Sequence, residues 1–177
     1  MPEEELNNLA RIGQIDKVPF SADLLRKMLA TANSRLQDAQ RTDNSLETRF
    51  DCAYTAIRAV ADAALLAHGW RTATSKPGHH QTTIGCLVHT LGVSPATVRV
   101  LDALRKQRNL SDYDGQLVTD QALHDCLQQA AALCQLAEQQ LQPLMNKKTP
   151  LAPVECAHAA IKFEPIGNFP WWRGALA

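Results

Sequence analysis

The sequence predicts an all-α protein, a four- to five-helix up-down bundle with an irregular C-terminal extension. Three observations carry that prediction. Apolar residues recur at spacings of three and four rather than two along most of the chain. Helix-opening residues stand where those stripes begin, at Ser21, Asn44, the Ser94-Pro95 pair and Thr119. Polar or breaker-rich segments, Arg41 to Ser45 and Trp70 to Gly78, lie between them.

Residues 1–20 read as an acidic, poorly patterned lead. Ser21 caps the first helix, with Asp23 at the positive end of its dipole and Leu25, Met28 or Leu29, Ala32, Leu36 and Ala39 on one stripe. That helix ends near Arg41. A second helix opens at Asn44, whose spacing to Glu47 resembles a capping box, and runs to Gly69. Its stripe is Phe50, Ala53, Tyr54, Ile57, Val60 or Ala61, Ala64, Leu65 and His68. The many alanines permit close helix approach, which puts this helix at the centre of the bundle. After a loop from Trp70 to Gly78, a shorter helix covers Gln81 to Leu91 and stops at Gly92. Ser94 and Pro95 then open the helix that holds Val98, Leu101, Leu104 and Arg105. Thr119 and Asp120 start a long last helix with Leu123, Leu127, Ala130, Cys134, Ala137, Leu141 and Leu144 in line. Residues 21–147 thus make one bundle. Residues 148–177 form a tail, and its Trp171 and Trp172 are expected to pack on the bundle or on a partner, because exposed aromatic pairs lower solubility.

Composition narrows the class further. With 177 residues, 45% of them hydrophobic, the chain is long enough for a sizeable core, and disordered, collagen-like and disulfide-dense classes are excluded. Eighteen Lys and Arg balance eighteen Asp and Glu, which argues against a protein that coats DNA through a cationic surplus. Five cysteines, an odd number in apolar surroundings, read as reduced core thiols. No stretch is apolar enough to cross a membrane, and the acidic start is unlike a signal peptide, so a cytoplasmic location is expected.

The chemistry concentrates between Val98 and Gly115. Arg99, Arg105, Lys106 and Arg108 crowd one helix, and Arg108 lies seven residues after Leu101 and four after Leu104, on the apolar stripe. A guanidinium against a semi-apolar wall can hold a phosphate bidentately; the plainer alternative is that it snorkels or pairs with Asp112. His79 and His80, after Pro77-Gly78, could contact phosphate at a helix start, shuttle protons or simply form a capping turn. No CxxC or HExxH spacing occurs, so no metal site is assigned, and no cofactor fingerprint is present. His68, His124 and Tyr54 read as surface or packing residues.

The pattern Arg108-Asn109 followed by Asp112-Tyr113, after an alanine-rich helix with Tyr54 and a Pro77-Gly78-His79-His80 turn, resembles the HEPN superfamily, in particular its small stand-alone bacterial members. The resemblance spans about Ser21 to Leu141 and is most specific from Asp102 to Tyr113. It implies a bundle that dimerises through the motif-bearing helices. It further implies either a metal-independent ribonuclease of toxin–antitoxin or defence systems, or a non-catalytic module that binds RNA, a nucleotide or a partner protein such as an antitoxin or nucleotidyltransferase. The catalytic relatives place a histidine shortly after the arginine, where this chain has Tyr113. A phenol with a pKa near ~10 is a poor general base at neutral pH. Binding without turnover is therefore the leading expectation, with Arg105, Lys106, Arg108, Asp112, His79 and His80 as ligand contacts. In the ribonuclease alternative, Arg108, Asn109 and Tyr113 are catalytic, aided by His79 or His80. A third expectation is a structural or antitoxin-type subunit in which Asp112 or Asp102 occupies Arg108.

Overall fold

The computed structural model describes residues 2–75, 77–114 and 117–146. They are mostly helical, with one two-stranded sheet: α1 (Pro2–Arg11), β1 (Ile15–Lys17), α2 (Ala22–Gln40), α3 (Leu46–Ala67), β2 (Trp70–Thr72), α4 (His79–Gly85), α5 (Leu87–Thr90), α6 (Pro95–Asp114) and α7 (Asp120–Met145).

Local chemistry sets the helix ends. Ser21 accepts a hydrogen bond from the Leu24 amide and Thr119 from the Ala122 amide, while Ser94 accepts from Thr97 ahead of Pro95. The start of α3 differs from the sequence expectation. Ser45, not Asn44, is the cap, accepting from the Thr48 amide at 3.2 Å. Asn44 instead turns back and donates to the Asp38 carbonyl, closing the end of α2.

Helices α2, α3 and α7 pack on one another around α3. Ala53, Ala56, Ala61, Ala63 and Ala64 of α3 are essentially fully buried, and so are Phe50, Tyr54, Ile57 and Val60. Small side chains let the three backbones approach, and the larger ones fill the seams. On α7 the buried line is Leu123, Cys126, Ala130, Leu133, Cys134, Ala137 and Leu141. Leu127 and Leu144 flank it, half-buried. Helix α6 lies against α3, α4 and α7, and its anchors are Leu101 and Leu104, both buried.

Two regions depart from the sequence reading. The lead contains α1 and β1: Leu6 and Ile15 are each 1% exposed and join Leu65, Trp70 and Cys86 in a second, smaller core. The stretch after Gly69 is not all loop, because Trp70–Thr72 pairs antiparallel with β1, Ile15 opposite Thr72 and Lys17 opposite Trp70. The third helix also begins two residues early, at His79, and breaks into α4 and α5 at Cys86. The tail beyond Asn146, with Trp171, Trp172 and Cys156, lies outside the described residues. Among the described residues no helix is long and apolar enough to cross a membrane.

Candidate functional site

Arg108 is carried four residues beyond Leu104, so the turn that buries leucine brings the guanidinium back toward α3. Its Nε donates to Asp51 Oδ1 at 2.7 Å, and its Cζ sits 5.4 Å above the centre of the Tyr54 ring. The arginine is thus fixed against an aromatic face, as its position on the apolar stripe implies. Among the described side chains its carboxylate partner is Asp51 and not Asp102, while the side chain of Asp112 lies outside them. Asp102 is taken by its own helix, accepting from Arg105 Nε at 2.8 Å and pairing with Lys106 Nζ at 3.1 Å. Burial opposes ionisation of that carboxyl, but Arg105 and Lys106 together outweigh it and hold the group below the ordinary carboxylate range.

His79 and His80 open α4. Gly78 precedes them with φ +78, a left-handed conformation that a residue with a Cβ rarely adopts, and this turn sets the direction of both rings. The rings meet edge to face with centroids 4.2 Å apart. Burial, reinforced by the positive charge of Arg58, His79, Arg108 and Arg105, pushes His80 down to about 4, so at neutral pH the ring is uncharged. His80 and Arg108 therefore belong to one electrostatic neighbourhood, although they come from helices far apart in sequence. Asn109 is half-buried next to Arg108 on α6. Asp112 and Tyr113 are in the last turn of α6, and the placement of their side chains lies outside the described residues.

Helix α3 supplies what the sequence reading did not single out. Asp51, Arg58 and Asp62 are spaced seven and four residues apart, so with Tyr54 they make a polar strip along the side of α3 facing α4 and α6. Charged residues at that spacing on an otherwise apolar helix are a signal that could have been read. Arg58 Nη2 is 3.7 Å from Asp62 Oδ2, beyond a good hydrogen bond. Among the described residues, the buried Arg58 Nε and Tyr54 Oη have no hydrogen-bond partner. The phenol is 1% exposed, and burial outweighs Arg58, Arg105 and Arg108 to push its pKa up to about 12. It stays protonated.

Among the described residues the ion pairs of this face join Arg58, Arg105, Lys106 and Arg108 to Asp51, Asp62 and Asp102. A shallow depression of about 270 Å³ beside Arg108 is lined by Glu47, Thr48, Phe50, Asp51 and Ser111. A groove of about 470 Å³ between α4 and α6 is bordered by Gln81, Arg99, Asp102 and Lys106. Among the described residues no three His, Cys, Asp or Glu side chains converge as metal ligands would. Cys86, Cys126 and Cys134 are buried thiols, pushed up to about 11, 12 and 11 chiefly by burial, so they are protonated at neutral pH. Compared with known proteins, the chain matches no family model and no curated protein.

Proposed function

We propose that this protein is a HEPN-like helical bundle that binds RNA through the face formed by α3, α4 and α6, without turnover. One observation carries the reading: Arg58 of α3 and Arg105 and Arg108 of α6 are each held by a carboxylate, and Arg108 also lies over the Tyr54 ring at 5.4 Å. A phosphodiester suits that arrangement. It presents several acceptors to guanidinia already positioned by Tyr54 and Asp102, and it would replace Asp51, whose side chain is half exposed and whose pairing with Arg108 is worth only ~0–1 kcal/mol. The balance of 18 Lys and Arg against 18 Asp and Glu over the sequence favours a few positioned phosphate contacts over a broad polyanion surface.

His80 is a poor acid–base catalyst in this setting. A base with a pKa near 4 has little driving force to remove a ribose proton, and an uncharged ring cannot act as an acid. A specific observation still supports the ribonuclease as a second reading, since His80 and Arg108 share one neighbourhood, and a bound phosphate would raise the imidazole pKa. In that case Arg108 holds the scissile phosphate, Asn109 orients it, and Tyr113 or a loop histidine assists the 2′-hydroxyl.

Dimerisation belongs to the same proposal. Ala96, Val100, Ala103 and Leu110 are exposed on α6 at helical spacing, with Val100 42% and Leu110 36% accessible. This apolar stripe supports a second copy packing along α6. Incubating the protein with labelled structured RNA in EDTA separates the readings. Retarded RNA that remains intact, with retardation weakened in Arg108→Ala, is the expected result. Cyclic phosphate ends that disappear in Arg108→Ala would establish the ribonuclease instead. Neither retardation nor cleavage would leave a structural subunit.

A further inference from the structure

A mainly apolar cavity opens beside the Arg58–Asp62 pair. It measures about 520 Å³, within the range of small-molecule sites, and opens between the start of α2, the C-terminal half of α3, β2 and α4. Leu24, Met28, Leu66 and Trp70 form its apolar wall; Arg58 and Asp62 stand at its polar end. Leu24 is 47% exposed, a large apolar side chain left in water at the start of α2. Trp70 lies opposite Lys17 in the pairing of β2 with β1 and is 8% exposed, packed in the smaller core.

The polar end is only partly satisfied. Arg58 reaches Asp62 at 3.7 Å, and among the described residues its buried Nε has no hydrogen-bond partner. An anionic head placed there would meet Asp62, and a cationic one would meet Arg58 and Arg71. A carbonyl beside an N–H meets neither penalty: the carbonyl oxygen accepts from the guanidinium, and the N–H donates to the carboxylate. We infer that this cavity is a binding site for an uncharged small molecule with an apolar, ring-sized body and an amide-type head, the body against Leu24, Met28 and Trp70 and the head between Arg58 and Asp62. Burial pushes the Asp62 carboxyl above its ordinary range in spite of Arg58, His79 and a hydrogen bond from the Thr83 hydroxyl, so the carboxylate retains acceptor capacity for one further donor. The inference shares Arg58 with the RNA reading but does not require it, since Leu24, Met28 and Trp70 belong to this cavity alone.

Isothermal titration calorimetry on the full chain tests it, with 1-naphthaleneacetamide as the probe and 1-naphthaleneacetate and 1-naphthylmethylamine as its charged counterparts. The amide should bind at least about tenfold more tightly than either charged form. Asp62→Asn should weaken the amide about tenfold, and so should Leu24→Glu, a change at an exposed position; Asp62 pairs with Arg58, so Leu24→Glu is the variant that separates this site from the guanidinia proposed to hold RNA. Equal binding of the three probes would overturn the inference. So would amide binding untouched by both substitutions, or no binding of the amide at millimolar concentration.

Discussion

Tyr54 and His80 report on the site most directly, because each is held in a state that water would not choose. A buried hydroxyl without a partner costs roughly 1–3 kcal/mol, so Tyr54→Phe should leave stability unchanged or raise it by about 1 kcal/mol in urea unfolding. A decrease larger than that would mean the hydroxyl is bonded in solution. For His80 the folded pKa of about 4 lies below the ordinary histidine value of ~6.5. Between those limits the unfolded chain binds the extra proton, so stability is complete above pH ~6.5 and declines as pH falls toward 4. The ring is half-buried, and solvent screening reduces the decline to roughly 1 kcal/mol; His80→Gln should flatten that part of the pH profile. RNA affinity should run the other way, strengthening from pH 7 to 5, because a bound phosphate stabilises the imidazolium. Arg108 is legible in the sequence because its distance from Leu101 and Leu104 forces it onto the packed side of α6. Asp51, Arg58 and Asp62 also repeat at helical spacing, but they border the apolar stripe of α3 and are masked by it in the pattern.

Helices with long stripes and capped ends are legible as elements, and short or shared ones are not. Helix α7 has 26 residues, enough for its period to stand out from noise. Helix α1 has ten, with Leu6 as its deeply buried anchor, and it is stabilised by a sheet that no local pattern announces. Strands β1 and β2 are three residues each, and they form because the segments pair with one another across the end of α3. The difference in capping at α3 has a similar cause: Asn44 and Ser45 are both good caps, and the demand of the Asp38 carbonyl for a donor assigns Asn44 to α2. Ser45→Ala should therefore destabilise by about 1 kcal/mol in thermal or urea unfolding, the usual effect of removing an N-cap. Leu101→Ala should cost more, about 2–5 kcal/mol, since Leu101 is fully buried and ties α6 to the bundle. A Leu101→Ala protein as stable as the parent would mean that α6 is not anchored in this way.

At the scale of the whole molecule, the apolar core on α3 and the charged strip on the same helix divide the labour: one side of α3 holds α2 and α7 in place, and the other meets α4 and α6. The exposed line through Val100 and Leu110 is where the proposed second copy would pack, on the same helix that carries the proposed site. Light scattering at micromolar concentration should return a dimer for the parent chain and a monomer for Val100→Glu combined with Leu110→Glu. The phosphate-binding face is tested most directly by the salt dependence of RNA binding. Fluorescence anisotropy with a labelled single strand, repeated from low to physiological salt, gives a log–log slope that counts the phosphates neutralised. That slope should shrink by roughly 0.7 for each guanidinium removed in Arg58→Gln, Arg105→Gln and Arg108→Gln. A slope that stays the same when all three are replaced would contradict it.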